Sequence, residues 1–477
     1  MQAITLLREE QAAFRFVKLR MDGLCRTLYG FTRMSRKVRK EDLLWSHWLR
    51  QQAQADSKTV LIDAAKDRSW TARALTEAVL PFSDHLGHYQ AGDRISFRLP
   101  NGPEWFSLFL ALQQAGLAAV PLDAGMPREG CLETARRVGA RALYLEGEFH
   151  SLGKVPPAAS RKICCVKITS GTGALPKAIE CRAEHLIADG QNVCGTMGIR
   201  ARDVNLAVIP LGHSYGLGNL VLPLILQGTA LVCAGEYVPR QLIEWIARYH
   251  VTVFPTVPAL IRVLAAFPPG SEKLDSLRTV ISAGAVLTPA VAQAFFARFG
   301  VKIHNFYGSS ETGGICYDRT VSASLTGRSV GKPLEGVSVT VKGERITVES
   351  PAVATRSGRW RLGDFGEWNQ RGELVLLGRA GQGANIGGKK VHPLEVERVL
   401  RALPGITDAA VWLQQSEGRD LLAAAGETTH SRTEIERALA VRLPAWKLPK
   451  TYFIARELPR TTRGKLDLVA VRLECQR

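Results

Sequence analysis

From residue 41 to about residue 304, the chain alternates short apolar stretches typical of buried strands with longer amphipathic stretches typical of helices. The strand-like stretches include residues 59–62, 94–98, 118–122 and 279–281, and residues 105–115 form a strongly apolar helical stretch between the second and third of them. Such alternation predicts an α/β fold in which helices cover mostly parallel sheets. Ligands of such sheets bind at the loops beyond the carboxyl ends of the strands. We also expect a helix over residues 70–86.

The pattern changes twice towards the C-terminus. Short strand-like segments separated by Gly turns, at residues 338–341, 345–348 and 373–377, predict a small β subdomain. The stretch GRAGQG at residues 378–383 has three glycines in six positions and predicts a hinge. The expected domains are a basic extension (1–40), a large domain (41–378), a hinge (379–383) and a small mobile α+β C-terminal domain (384–477).

Composition indicates a globular protein, with 46% hydrophobic and 22% charged residues among 477. The net charge of +18 suits an anionic ligand or partner, and residues 1–40 carry ten Lys or Arg against three acidic residues. A specific nucleic-acid partner is not expected, because basic and aromatic residues do not interleave. No apolar run approaches the roughly 18 residues of a transmembrane segment. Nine cysteines without a C-x-x-C pair, and no signal-peptide pattern, favour a cytoplasmic location.

The stretch KITSGTGALPKAIE, residues 167–180, joins hydroxyl side chains, glycines and a lysine after a strand-like run. Gly171 and Gly173 let backbone N–H groups approach an anion closely, and Lys177 adds a positive charge. The P-loop pattern fails at Pro176, where that motif has a glycine. Taken alone, the stretch is equally compatible with a phosphate-binding loop and a polar turn.

Residues 304–313 (HNFYGSSETG) place an aromatic ring, two hydroxyls and a carboxylate within five positions. Tyr307 suits stacking on an aromatic base, Ser310 suits phosphate oxygens, and Glu311 suits Mg²⁺. A capped turn between a strand and a helix is the alternative at this point.

Three later loops give weaker evidence of a binding site. Each has a glycine followed by a charged residue, which is Asp364, Arg379 or Lys465. Asp364 falls in a segment, residues 361–364, that we expect to be a loop. Residues 385–397 (NIGGKKVHPLEVE) add two glycines ahead of two lysines. Each of these loops, taken alone, is also explained as an ordinary turn.

In their order and combination, these five loops resemble the motifs of the adenylate-forming superfamily, which includes acyl- and aryl-CoA synthetases, adenylation domains of peptide synthetases and luciferases. Residues 99–105 (LPNGPEW) and 209–216 (IPLGHSYG) resemble two further motifs of that family. The seven collinear matches extend from about residue 41 to residue 467. The resemblance implies a large α/β domain followed by a small mobile C-terminal domain.

The resemblance also implies a role for each matching residue. The implied catalytic residues are Lys465, bridging the carboxylate and α-phosphate, Ser310 at the α-phosphate, and Glu311 as the Mg²⁺ ligand. The implied ATP- and AMP-binding residues are Thr169, Ser170, Gly171, Thr172, Gly173, Lys177, Gly284, Asn305, Tyr307, Asp364 and Arg379. The implied acid pocket comprises His213, Tyr215, Gly216, Ala283 and Gly308. The implied thiol-acceptor face comprises Gly387, Gly388 and Lys389.

The activity implied by the resemblance is ATP-dependent activation of a carboxylic acid to an acyl-adenylate, with pyrophosphate release, and transfer of the acyl group to a thiol. ATP and Mg²⁺ are the implied cofactors, and the acceptor is CoA or, alternatively, a phosphopantetheinyl acyl carrier protein. Residues 213–219 lack the Asp with which peptide synthetases bind an α-amino group, so we expect a small aryl or acyl acid.

Some positions depart from the family pattern. Gly173-Ala174 stands where the family has Thr-Gly, and Gly381-Gln382 replaces the usual hinge residues. These departures leave a catalytically weakened scaffold as an alternative, beside a basic nucleic-acid-binding protein as an alternative of another class.

Overall fold

The computed structural model describes residues 43–153, 160–169, 177–268, 274–327, 329–379, 384–386, 389–416, 419–461, 464 and 466–476. The predicted extension 1–40 lies outside the described residues. So do eight individual residues for which the sequence made predictions: Ser170, Gly171, Thr172, Gly173, Gly381, Gly387, Gly388 and Lys465.

The described strands, in chain order, are β1 (Thr59–Asp63), β2 (Arg68–Thr71), β3 (Arg94–Arg98), β4 (Ala118–Leu122), β5 (Ala140–Leu145), β6 (Glu148–Ser151), β7 (Ile163–Thr169), β8 (Lys177–Arg182), β9 (Val204–Ala207), β10 (Ala230–Cys233), β11 (Val253–Thr256), β12 (Thr279–Ser282), β13 (Ile303–Ser309), β14 (Gly313–Tyr317), β15 (Lys332–Pro333), β16 (Ser338–Lys342), β17 (Arg345–Glu349), β18 (Arg359–Trp368), β19 (Leu374–Arg379), β20 (Ala384–Ile386), β21 (Lys389–Val391), β22 (Asp408–Ser416), β23 (Arg419–Glu427) and β24 (Thr451–Ala455).

The described helices are α1 (Leu43–Gln54), α2 (Ala72–Glu77), α3 (Leu80–Leu86), α4 (Pro103–Gln114), α5 (Arg128–Arg137), α6 (Ala183–Met197), α7 (Ser214–Gly216), α8 (Leu222–Gln227), α9 (Pro239–Arg248), α10 (Pro258–Ala266), α11 (Pro289–Phe299), α12 (Ser322–Thr326), α13 (Pro393–Arg401), α14 (Arg432–Ala440) and α15 (Leu468–Gln476). A π-helical segment, Leu217–Val221, joins α7 to α8, and a short 3₁₀ turn covers Ala445–Lys447.

A nine-stranded sheet in the order β15-β14-β13-β12-β11-β9-β10-β1-β2 forms the largest layer. Its six strands from β13 to β1 are paired in parallel, and the antiparallel pairings lie at the two edges. Every residue of β10, β11 and β12 is buried, as expected for parallel strands covered on both faces. The carboxyl ends of these strands therefore meet at one edge.

A second, six-stranded sheet has the order β6-β5-β3-β4-β7-β8. Helix α4 lies between the two sheets, because its buried side chains share one core with Phe97 of the second sheet and Leu61 of the first. Nine of its residues are buried, which is why its sequence is apolar almost all round. The predicted α/β class with helix-covered parallel sheets is confirmed.

Two smaller layers follow. Strands β16 to β19 form an antiparallel four-stranded sheet. Strands β22 to β24 form a three-stranded sheet that packs with α13, α14 and α15, hereafter the C-terminal lobe. The lobe has its own apolar core, to which Val396, Leu400, Ile435 and Leu439 contribute.

Three local predictions were wrong. The helix expected over residues 70–86 is instead the end of β2 followed by α2 and α3, which are separated at Ala78 and Val79. The loop expected at residues 361–364 lies inside the ten-residue strand β18, and Arg379, also expected in a loop, is the last residue of β19. In addition, β23 was not predicted, because its run of small Ala residues lacks the β-branched side chains typical of strands.

Within the described ranges, none of the helices is both long and apolar enough to cross a bilayer. The eight described cysteines are free thiols. Over the same residues, His, Cys, Asp and Glu side chains do not gather in groups of three or more suited to a metal ion.

Candidate active site

The segment at residues 207–211, which leads into α7, is held in place by Asn101. The Asn101 amide donates to the carbonyls of Ala207 (3.0 Å) and Ile209 (2.9 Å), and its Oδ1 accepts a hydrogen bond from the backbone N–H of Leu211 (2.9 Å). One side chain from the loop before α4 thus fixes the backbone beyond the carboxyl end of β9. The two sequence motifs at 99–105 and 209–216 are therefore parts of one structural unit.

Residues 304–313 form most of a β-hairpin between β13 and β14, so the alternative of a strand-to-helix turn is wrong. The register shifts between Tyr307 and Gly308, which places a bulge beside the hairpin tip. A side chain at Gly308 would lie 2.7 Å from the Gly313 carbonyl oxygen, so the close approach of the two strands requires glycine. Ala354 donates to the carbonyl of Glu311 (2.9 Å) and anchors the tip.

Tyr307, Asp364 and Arg379 form one connected cluster, although they lie on three different strands. The Tyr307 hydroxyl donates to Oδ2 of Asp364 (2.6 Å), and Nε of Arg379 donates to Oδ1 of the same carboxylate (2.9 Å). Asp364 and Arg379 are direct partners in the β18–β19 register. Burial, together with the neighbouring Asp364 carboxylate, raises the pKa of Tyr307 well above its usual value, so the phenol stays protonated as a donor. The cluster offers an aromatic face beside a carboxylate acceptor.

Ser310 and Glu311 occupy the tip of the same hairpin. Oγ of Ser214, at the start of α7, donates to Oγ of Ser310 (2.9 Å). Because Ser310 is the acceptor in this bond, its own proton is left to donate to a ligand oxygen. Glu311 is half-buried at the next position. Ser214 was not singled out by the sequence, since the two serines are 96 positions apart.

The acid-pocket candidates lie around α7. The Tyr215 hydroxyl donates to the Ile281 carbonyl (2.9 Å) and accepts from the Thr256 N–H (3.1 Å), so it bonds to the ends of β11 and β12. Its ring lies against Phe306, with centroids 5.7 Å apart. Burial raises the pKa of Tyr215 well above its usual value. The buried aromatic pair forms an apolar wall on one side of this region.

His213 and Gly216 have local structural roles. Nδ1 of the exposed His213 accepts a hydrogen bond from the Tyr215 backbone N–H (3.2 Å), which caps the start of α7. A side chain at Gly216 would lie 2.1 Å from the carbonyl oxygen of Pro210, so this close approach requires glycine. Both residues therefore shape the backbone around Tyr215.

The end of β12 supplies three more candidates. Ala283 is buried directly after the strand, and Gly284 follows with φ of +81°, a conformation that favours glycine. Asn305 pairs with Ser282 in the β12–β13 register, and its Nδ2 donates to the carbonyl of Ser329 (3.3 Å). The Asn305 amide is thus oriented beside the same edge as Tyr307.

Strands β7 and β8 flank the first loop, because Thr169 and Lys177 are register partners at their ends. A buried carboxylate connects this hairpin with the next one. Oδ1 of Asp189, in α6, accepts from the Gly314 N–H (2.9 Å), and Asp189 interacts electrostatically with the buried Lys167 of β7. Burial raises the pKa of Asp189, while the positive charge of Lys167 opposes that rise.

The C-terminal lobe contacts the large part of the molecule near these loops. A side chain at Gly464, which directly precedes Lys465, would lie 2.9 Å from Cβ of Ala259 in α10. An isolated bridge between Arg460 and Leu466 closes the loop that contains Gly464. Lys389, by contrast, lies in the separate two-stranded sheet β20-β21. Gly464, a described residue of this loop, therefore lies beside α10, close to the carboxyl end of β11.

Comparison with known proteins gives consistent matches. The sequence profile of the family described as AMP-binding enzyme matches residues 48–151 and 144–353. A feruloyl-CoA synthase of Amycolatopsis sp. is 26% identical over 431 residues, which cover 79% of this chain and 87% of that protein. A 2-succinylbenzoate–CoA ligase of Geobacillus kaustophilus (strain HTA426) is 24% identical over 478 residues, which cover 88% of this chain and 96% of that protein.

Among solved structures, the fold is similar to that of ATP-bound MatB from Rhodopseudomonas palustris. The TM-score is 0.77 at 21% sequence identity, and the match covers 91% of this chain and 99% of that one. The large sheets and the C-terminal lobe thus follow an arrangement known from experiment.

Proposed function

Because the chain belongs to the AMP-binding enzyme family, we propose that it is an AMP-forming acid–CoA ligase. It activates a carboxylic acid with ATP to an acyl-adenylate, releases pyrophosphate, and transfers the acyl group to the thiol of CoA. The observation that carries the proposal is the Tyr307–Asp364–Arg379 cluster, with Ser310 and Glu311 three and four positions after Tyr307 on the same hairpin. Two relatives that match most of the chain, the feruloyl-CoA synthase and the 2-succinylbenzoate–CoA ligase, are acid–CoA ligases by name.

The nucleoside of ATP binds at the cluster. The Tyr307 ring stacks on adenine, and the Asn305 side chain lies at the edge of the base. Asp364 accepts hydrogen bonds from the ribose hydroxyls, which its two carboxylate oxygens suit. Because Arg379 and Tyr307 both donate to that carboxylate, its charge and orientation are fixed before ATP arrives. Such preorganisation lowers the cost of binding.

The phosphates of ATP extend along the hairpin tip towards the first loop. Ser310 donates to the α-phosphate. The β- and γ-phosphates are held by the first loop, through Thr169, Ser170, Gly171, Thr172, Gly173 and Lys177. Glu311 fits Mg²⁺, because Mg²⁺ bound with nucleotide phosphates uses only one or two protein carboxylates. When bound, Mg²⁺ neutralises part of the phosphate charge.

In the first step, a carboxylate oxygen of the acid attacks the α-phosphorus of ATP, and the bond from that phosphorus to the bridging oxygen of pyrophosphate breaks. Two anions must approach each other, so catalysis depends on positioning and on fixed positive charge. Lys465 supplies that charge between the acid and the α-phosphate, and Ser310 donates to the developing charge.

In the second step, the thiol sulfur of CoA attacks the acyl carbon, and the bond from that carbon to the AMP oxygen breaks. The C-terminal lobe turns about residues 379–383 between the steps and exposes the face around Gly387, Gly388 and Lys389 to the thiol. The net charge of +18 favours polyanionic CoA and equally an acidic carrier protein, which is the alternative acceptor.

The acid is a small aryl or acyl carboxylic acid without an α-amino group. Its pocket is bounded by Tyr215, Ala283 and Gly308, with the apolar wall of Tyr215 and Phe306 on one side. Residues 213–219 provide no carboxylate to pair with an ammonium group. The names of the matched ligases, with feruloyl and succinylbenzoate groups, favour an aromatic acid.

Acid-dependent exchange of labelled pyrophosphate into ATP tests this proposal. The acid panel contains ferulate, 4-coumarate, 2-succinylbenzoate, benzoate, and short- and long-chain fatty acids. Exchange with at least one acid, followed by mass-spectrometric detection of its CoA thioester, is the expected result. Exchange without CoA thioester, but with acylation of a phosphopantetheinylated carrier protein, supports the alternative acceptor. No exchange with any acid contradicts the proposal and favours a scaffold.

A further inference from the structure

Two carboxylates lie side by side where the C-terminal lobe meets the large part of the molecule. Asp408 begins β22 and Glu427 ends β23, and the two are register partners. Their side chains are only 11% and 6% exposed. Two buried carboxylates at such a short separation require positively charged partners, because water screens their mutual repulsion poorly.

Two arginines share both carboxylates. From α10 in the large part, Arg262 donates through Nη2 to Oδ2 of Asp408 (3.1 Å) and through Nη1 to Oε1 of Glu427. Arg460, from the loop that carries Lys465, donates through Nη2 to Oδ2 of Asp408 (3.1 Å) and to Oε2 of Glu427 (2.8 Å). The same acidic pair thus joins the large part of the molecule to this loop.

Arg460 also stabilises the backbone of its own loop. Its Nη1 donates to the carbonyl of Gly464 (3.3 Å), and it forms the bridge with Leu466 that closes the loop. Gly464 in turn packs against Ala259, which lies on the same face of α10 as Arg262, three positions earlier. The loop and α10 therefore meet at two points, one polar and one formed by close packing.

Asp408 and Glu427 keep other partners within the C-terminal lobe when the lobe separates from Arg262. Asp408 also forms an ion pair with Arg401 (Nε to Oδ1, 3.3 Å), and Glu427 accepts from the Thr407 hydroxyl (2.7 Å) and the Leu458 N–H (3.1 Å). On separation, the guanidinium of Arg262, which is 25% exposed in the interface, is hydrated, and this hydration offsets part of the lost ion-pair energy. Among the described residues, the hydrogen bonds from the large part to the acidic pair come from Arg262.

We propose that Arg262 is a positioning residue for the acid-activating step: through Asp408, Glu427 and Arg460 it holds the loop that carries Lys465 against α10. This inference rests on the function proposed above. Arg262 touches neither ATP nor acid in this role. It sets the fraction of molecules in which the loop is bound to α10. When its contacts with the acidic pair break, the C-terminal lobe is free to move for the thiol step.

The test separates the two half-reactions in the full-length protein. Arg262→Met keeps the length of the side chain but removes its charge and donors. ATP–pyrophosphate exchange, with the best acid of the panel, measures the activating step. Conversion of added, preformed acyl-adenylate to CoA thioester measures the thiol step alone. The matched control is Arg248→Met, because Arg248 forms an exposed ion pair with Asp67 inside the large part (2.6 Å).

We expect Arg262→Met to lower the kcat of exchange at least tenfold, with less than a threefold change in KM for ATP and in the thiol step. Arg248→Met leaves both steps within twofold of wild type. Arg262→Lys, which keeps the charge but not the forked geometry, gives an intermediate loss. Glu427→Gln combined with Arg262→Met costs less than the product of the two single losses, because both act through one contact.

Equal losses in the two half-reactions, or unchanged exchange, would overturn the role of Arg262. If Arg262→Met fails to fold by circular dichroism, the same comparison in Arg262→Lys decides the matter. The proposed function fails separately, since it is contradicted only if wild-type protein shows no exchange with any acid.

Discussion

The hydroxyl of Tyr307 donates a 2.6 Å hydrogen bond to the carboxylate of Asp364, although 57 positions separate the two residues. The bond fixes the tyrosine ring on one side of the proposed nucleoside site and the ribose-binding carboxylate on the other. Because Arg379 holds the second oxygen of Asp364, the three side chains act as one preformed unit. In the proposed site, the Tyr307 ring and the Asp364 carboxylate therefore bind the adenine base and the ribose of ATP as one unit.

Tyr307→Phe tests this coupling, since it keeps the ring and removes only the hydroxyl. We expect KM for ATP in the exchange reaction to rise about tenfold, which corresponds to about 1.4 kcal/mol for a hydrogen bond to a carboxylate that keeps its other partner. The matched control is Tyr249→Phe, which removes an exposed hydrogen bond to Asp67 (3.0 Å). An unchanged KM for ATP in Tyr307→Phe would show that the bond does not order the site.

Ser214→Ala removes the donor that orients the Ser310 hydroxyl. We expect kcat of exchange to fall about three- to tenfold, the value of one neutral hydrogen bond, and KM for the acid to change little. Ser310→Ala should lose more, because it removes the direct contact with the α-phosphate. The control is Ser357→Ala, which alters an exposed hydroxyl beside Thr355. If Ser214→Ala matches wild type, the hydroxyl of Ser310 needs no orienting partner.

Asp189→Ala should destabilise the fold by about 1–3 kcal/mol, because it leaves the buried Gly314 N–H without its acceptor and removes the negative charge that attracts Lys167. Urea unfolding followed by fluorescence measures the change. Glu436→Ala, which removes an exposed helical ion pair with Arg432, should change stability by less than about 0.5 kcal/mol. Equal effects of the two substitutions would rule out a structural role for the buried Asp189 carboxylate.

Glu427 gives the lobe interface a defined pH dependence. Burial opposes ionisation, but hydrogen bonds from Thr407 and Leu458 and the charges of Arg262 and Arg460 hold the pKa of Glu427 below its ordinary value of 4.5. The folded state then binds the proton less tightly than the unfolded state. The stabilisation is therefore complete above about pH 4.5 and is lost as the pH falls through the lower, folded-state pKa.

Urea unfolding of wild type and Glu427→Gln between about pH 3 and pH 7 measures this contribution. The difference in unfolding free energy should be largest above pH 4.5 and should shrink below it. Glu349→Gln, at an exposed pair with Arg359, serves as the control and should track wild type throughout. A difference between Glu427→Gln and wild type that stays constant with pH would contradict the assignment.

The sequence predicted the parallel sheets because buried strands are short apolar runs between amphipathic helices, as in β10 and β12. It did not predict that Asp364 lies in a strand. Strand β18 exposes Arg359, Trp360 and Arg361 in succession, so it lacks the alternation that marks a half-buried strand.

The sequence motifs also placed Tyr307, Asp364 and Arg379 among the nucleotide-binding candidates, but not in contact with one another. The contacts of Asn101, Ser214 and Arg262 were not predicted, since their partners are more than 90 positions away. Short sequence patterns predict individual helices, strands and binding motifs. These contacts instead depend on how the sheets and the C-terminal lobe pack against one another.

The transfer of oxygen from the acid to AMP tests the central claim most directly. Wild-type protein is incubated with ATP, CoA and the preferred acid labelled with ¹⁸O in both carboxylate oxygens, and the products are analysed by mass spectrometry. Attack of the carboxylate on the α-phosphorus predicts one ¹⁸O in each AMP formed and one in each CoA thioester. Label in phosphate or pyrophosphate instead of AMP, or thioester formed without labelled AMP, would contradict the account.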